Sequence, residues 1–178
     1  MKVEPIPPEA LRSVSGLDTP RHFYQVLRAP APLAGMSFPK RPPWKSIAAA
    51  GFESIVCLTD NTPPYDPSPL RVLHARKFKD LVGGARPDDL EEEAAMLRDV
   101  VLVVVDELRS GRGVVVHCYG GTGRTGTVIA CALAALGMPV PEVLKYMGRV
   151  NTARQKSPGW PESDWQQRQV ADFVVKNA

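Results

Sequence analysis

At 178 residues, 44% of them hydrophobic, the chain is long enough for one domain with a sizeable core. A net charge of +3 is too small to imply nucleic acid by itself and suits an acidic substrate only mildly. Three cysteines without paired spacing speak against a disulfide framework and for a reducing, cytoplasmic compartment. The opening MKVEPIPPEALRS has no apolar stretch of the signal-peptide kind, and the longest apolar runs fall far short of a membrane span, so no membrane association is expected. His22, His74 and His117 are scattered and form no metal-ligand cluster, and neither a metal nor a cofactor is expected.

Residues 1–20 carry four prolines and little periodicity and read as a loose arm, with the folded domain spanning 21–178. His22–Leu27 is apolar and aromatic enough for an edge strand, and a second short strand follows at Pro32–Met36. Pro42-Pro43-Trp44 opens a short helix that runs through Ala50 and stops at Gly51. Glu53–Thr59 is a buried strand. Asp60–Pro69 holds four prolines and must be irregular. Leu70–Phe78 returns as a strand, and Lys79–Pro87 is a glycine-containing loop.

Asp88–Arg109 reads as one long helix, with acidic residues at its start and Arg109 at its end, as the helix dipole favours. Val100–Val105 is apolar all round, so that half should be buried. Pro139–Val150 and Ser163–Lys176 are further helices. Strands alternating with helices predict a single α/β domain, with a mostly parallel central sheet of four or five strands and helices on both faces.

The chemistry concentrates in Val114–Gly126, VVVHCYGGTGRTG. Three valines predict a buried strand, Thr127–Leu136 a buried helix, and Cys118 and Arg124 bracket five residues, three of them glycine. A strand, a glycine-rich turn and a helix N-terminus aim backbone N–H groups at one spot and make an anion site. A cysteine at its mouth ionises readily. An arginine at the helix start can fork two hydrogen bonds onto phosphate oxygens.

His117-Cys118, five residues, then Arg124-Thr125 resembles the signature of the cysteine-dependent protein tyrosine phosphatase superfamily, most closely its compact dual-specificity branch. The resemblance implies a dual-specificity-like phosphatase fold over 21–178 and hydrolysis of a phosphorylated protein, phosphotyrosine foremost; the sequence leaves the oligomeric state open, with a monomer as the default. Cys118 would be the nucleophile that forms a phosphocysteine. Tyr119, Gly120, Gly121, Thr122, Gly123 and Arg124 would bind the phosphate, Thr125 would stabilise the leaving thiolate, and His117 would brace the loop. The family also implies an acid on the loop before the long helix. Asp80 fits that loop but lies 38 positions before Cys118, whereas Asp88 and Asp89, at 30 and 29, match the spacing better. Asp80 is preferred because a lid can carry a catalytic group.

Gln166 or Gln169 could orient the hydrolytic water. Cys57 is either core packing or a redox partner, and Cys131 is core. Arg71, Arg76, Lys77, Lys79, Arg149, Arg154 and Lys156 read mostly as a solvated face, one or two of them steering an anion. The alternatives are an inactive phosphate-binding module and a phosphatase for a non-protein phosphoester. Positions 119–123 contain no lysine, which argues against a highly phosphorylated lipid.

Overall fold

The computed structural model describes residues 2–11, 14, 16–17, 21–40 and 43–177. The predicted helix opening at Pro42 and part of the N-terminal arm lie outside them. Six strands form one sheet: β1 (Glu4–Pro5), β2 (Phe23–Ala29), β3 (Leu33–Met36), β4 (Phe52–Cys57), β5 (Arg71–Ala75) and β6 (Gly113–His117), in the order β1-β2-β3-β6-β4-β5. The β3–β6, β6–β4 and β4–β5 pairs are parallel, and β1–β2 and β2–β3 are antiparallel. Five helices complete the domain: α1 (Trp44–Ala49), α2 (Leu90–Arg109), α3 (Gly123–Ala135), α4 (Val140–Arg154) and α5 (Asp164–Asn177).

The sheet has six strands where the sequence predicts four or five. The extra one is β1, which pairs with β2, so β2 is not an edge. The start of the predicted loose arm is thus built into the fold, with Ile6 fully buried and its N–H bonded to Val26 O.

β6 is the central strand, and its period-2 alternation sends side chains to two cores. Val114 and Val116 join a large cluster with α2, α3 and α4, while Val115 joins a smaller one with Trp44 and Ile47 of α1. Helices therefore cover both faces. α2 begins at Leu90 because Asp89 caps it, its carboxylate accepting from the N–H groups of Glu91 and Glu92 at 3.0 and 2.9 Å. Its buried positions Leu97, Val100, Val101, Val104, Val105 and Leu108 follow the helical repeat. The expectation that Val100–Val105 is buried on all sides fails at Leu102, which lies on the outer face and is exposed.

Two element ends position the site. β5 ends at Ala75, short of the predicted Phe78, yet Arg76 and Phe78 still donate their N–H groups to Cys57 and Leu58 carbonyls. The chain therefore hugs β4 until it delivers Asp80 at the carboxyl end of the sheet. α4 continues past Val150 to Arg154, carrying one more turn toward β6.

Glu107 ties the layers together. It is buried in α2 and accepts from Ser54 Oγ of β4 (2.8 Å), from Arg112 Nε and Nη2 (2.8 and 3.0 Å) and from Arg71 of β5. The Arg112 guanidinium, then Ser54 and Arg71, hold its carboxyl down at about 2 against the cost of burial. Because the folded value lies below the ordinary one, the stabilisation is complete above the ordinary carboxylate range and is lost as pH falls toward 2. Glu107→Ala should cost about 2–3 kcal/mol at neutral pH and flatten the acid limb of a denaturant-melt series between pH 5 and 2. An unchanged acid limb would mean that Glu107 contributes no acid-sensitive stability.

Candidate active site

The loop between β6 and α3 separates its donors from its acceptors. Its carbonyls are all engaged. Phe38 N–H donates to Tyr119 O (2.9 Å), Arg154 Nη2 to Gly120 O (3.4 Å), and Tyr24 Oη and Arg154 Nη1 to Gly121 O (2.6 and 2.8 Å). Among the described residues no acceptor takes the N–H of Tyr119, Gly120, Gly121 or Thr122. Thr122 is the N-cap of α3 but makes no side-chain cap. Unbonded amides that run into a helix N-terminus form an anion cradle.

The loop can turn this tightly because of its glycines. Gly121 has φ +69°, and a Cβ there would lie 2.7 Å from the Met36 backbone. Gly35 serves from the next strand, because the Tyr24 ring crosses β3 where a Cβ would meet it at 2.3 Å.

Cys118 is buried at the head of the loop, and Arg124 is buried in the first turn of α3. Arg124 Nη2 donates to Asp80 Oδ2 at 2.9 Å and Nη1 to Phe78 O at 3.4 Å, so the loop after β5 is held on the guanidinium. Of the three candidate acids, only Asp80 makes this contact. Asp88 pairs with Lys79 at the surface (2.9 Å), and Asp89 is spent as the α2 cap. Thr125 is fully buried with its Oγ1 unpartnered among the described residues. Gln166 is buried beside the loop, its Nε2 at 2.9 Å from where a Gly123 Cβ would stand, whereas Gln169 lines a separate surface groove with Leu90 and Trp165.

His117 is fully buried, and burial is the main cause of a pKa lowered to about 4, so the ring is neutral at neutral pH. Its Nδ1 lies 3.4 Å from Cys118 O, and its Nε2 is hydrogen-bonded to Tyr65 Oη. A carbonyl can only accept, so Nδ1 carries the proton and Tyr65, whose own pKa burial raises, donates to Nε2.

All three cysteines are free thiols. Cys57 pairs in register with His117 and contacts Thr59 Oγ1 (3.3 Å), while burial pushes the Cys131 thiol well up.

Residues 21–170 match the family described as Swiss Army Knife protein, DSP-PTPase phosphatase domain. The chain belongs to this phosphatase-domain family. It is 32% identical over 99 residues to the protein named "Putative tyrosine phosphatase 067L" of Invertebrate iridescent virus 3, a match that spans 51% of this chain and 40% of the viral protein. Human DUSP28 shares the fold at a TM-score of 0.59 and 18% identity, covering 98% of each chain. TpbA of P. aeruginosa, in a complex with pTyr, does so at 0.62 and 15% identity, covering 93% of this chain and 94% of that one.

Four residues of this DSP-PTPase domain escape the sequence reading as parts of the site. Arg154, expected on a solvated face, is 3% exposed and stacks its guanidinium 3.9 Å from the Tyr24 ring centroid while it bonds the loop carbonyls. Tyr24 looks like core, and Tyr65 lies in a proline-rich loop. Glu162 reaches the cradle from the turn before α5, and its carboxylate lies against Gly123 at the start of α3. Burial and the nearby Asp80 push the Glu162 pKa up, against the pull of Arg124. A Cβ at 123 would stand 1.6 Å from Glu162 Oε2 and would displace that carboxylate.

The Tyr65–His117 bond favours neutral imidazole. Tyr65→Phe should therefore raise the His117 pKa from about 4 by roughly one unit, read from the ring-proton shifts in an NMR titration. A value that stayed put or fell would reverse the assigned tautomer.

Proposed function

We propose that the protein hydrolyses phosphomonoesters of phosphoproteins, phosphotyrosine first, through a phosphocysteine on Cys118. The Cys118 thiolate attacks phosphorus in line, the P–S bond forms as the P–O bond breaks, and Asp80 gives its proton to the departing oxygen. Arg124 and the loop N–H groups hold the phosphoryl oxygens, where transition-state charge accumulates. Water placed by Gln166 then attacks the phosphocysteine, Asp80 takes its proton, and Thr125 Oγ1 donates to the returning thiolate. Arginine and backbone dipoles supply the positive field, so this reading uses no metal and no cofactor.

The observation that carries the reading is the Asp80–Arg124 contact, made across 44 residues of sequence. It brings a carboxyl to the arginine in the first turn of α3, at the edge of the cradle. A dianionic phosphate competes for that guanidinium, and on binding it releases the carboxyl toward the leaving oxygen. A module that only binds phosphate has no use for an acid at this place.

Hydrolysis of p-nitrophenyl phosphate in EDTA tests the first step, and vanadate and Cys118→Ser should each abolish it. Activity that survived the serine variant would end the thiolate mechanism. Asp80→Asn should lower kcat on phosphotyrosine about 10²-fold and much less on p-nitrophenyl phosphate, whose leaving group needs little protonation. Equal losses on the two substrates would remove Asp80 as the acid.

A further inference from the structure

Beside the cradle lies a groove of about 530 Å³, with Tyr119 as the wall common to both. Its floor is apolar, formed by Leu17, Met36 and Phe38, and the Phe38 ring stacks on Tyr119 with centroids 5.5 Å apart. Lys40 and Lys156 also line it, and among the described residues neither ammonium has a carboxylate partner. Some of the chain's other cations are paired: Arg71 and Arg112 with Glu107, Lys79 with Asp88, Arg149 with Glu9.

Lys156 is partly desolvated, and its electrostatic neighbours are two more cations, Arg154 and Arg21. Burial, then those guanidiniums, lower its pKa, and only Cys118 acts in the opposite sense. The ammonium therefore lies close enough to the cradle to feel the cysteine. A partly buried ammonium with no carboxylate partner among the described residues is a charge that a bound anion would balance.

Resting on the phosphatase reading above, we propose that this groove is a substrate subsite for a second anionic side chain, a carboxylate or a phosphate, on the peptide segment flanking the phosphorylated residue. Lys40 and Lys156 take the anion, and the apolar floor and the Phe38–Tyr119 stack take the hydrocarbon part of that segment. A peptide fits better than a polyphosphorylated headgroup. Two lysines over an apolar floor match one anionic group on an apolar chain, and the loop at 119–123 adds no further cation.

The test is calorimetric binding to Cys118→Ser protein, which reads the subsite whether or not the wild type turns over. Three peptides share one phosphotyrosine and differ in its neighbours: Asp, the isosteric Asn, or phosphoserine. The Asp peptide should bind about fivefold more tightly than the Asn peptide at low salt. That ratio should shrink in high salt and fall to within twofold in Lys40→Gln/Lys156→Gln. A phosphoserine peptide that outbinds the Asp peptide, with the same dependence on the lysines, identifies the second anion as phosphate, and the reverse order identifies it as carboxylate. Equal binding of the Asp and Asn peptides, with no gain for phosphoserine, overturns the proposal. So does an Asp or phosphoserine preference that survives in the double variant. A soluble inositol bisphosphate that outbinds every peptide overturns the peptide occupant. Wild type inactive on p-nitrophenyl phosphate would sink the catalytic reading alone, since the binding ratios stand apart from it.

Discussion

A loop that aims its amide N–H groups at one point turns its carbonyls the other way, and buried carbonyls have to be bonded. Much of this structure follows from that constraint at residues 119–122. The acceptors are met by Phe38 from the segment after β3, by Tyr24 from β2 and by Arg154 from the last turn of α4. Each support demands a further accommodation. Gly35 is small so that Tyr24 can pass over β3, and Arg154 stacks on the same ring. Three segments, at Tyr24, Phe38 and Arg154, thus hold four residues open toward an anion.

The same economy governs the loop's two ends. At the strand end, neutral His117 is fixed between the Cys118 carbonyl and the Tyr65 hydroxyl, so it serves as a strut and holds no charge against Arg124. At the helix end, the turn before α5 closes over α3. Trp160 Nε1 donates to Thr127 Oγ1 (3.2 Å), and its indole fills the space that a side chain at 126 would need. Gly84 N–H donates to Glu162 O (3.1 Å), which links this turn to the loop that carries Asp80. The Asp80 loop, the cradle and the C-terminal turn are thus linked by hydrogen bonds.

Charge is distributed unevenly around the cradle. On the Asp80 side, Arg124 is matched by Asp80 with Glu162 close by, so an arriving phosphate exchanges one anion for another. On the Tyr119 side, Lys40 and Lys156 have no carboxylate partner among the described residues. The first side suits the reacting phosphoryl group and the second suits whatever flanks it, because an exposed loop tyrosine between them leaves a path for an extended chain.

Whatever depends on near neighbours is legible in the chain alone. The valine run, three glycines and apolar helix of 114–136 specify strand, turn and helix locally, and the Cys118–Arg124 spacing travels with them. Asp89 and the acidic turn after it specify where α2 begins. That Asp80 and neither of its two rivals meets Arg124 needed the folded molecule, because it rests on how far the chain follows β4 beyond the end of β5. So did the findings that Arg154 is a buried brace, that Gln166 and not Gln169 faces the loop, and that the N-terminal residues add a sixth strand. Hydrophobic period and turn residues report which face of an element is buried. They are silent on which distant donor lands on a given carbonyl, since that is set by strand register and by where each helix's last turn comes to rest.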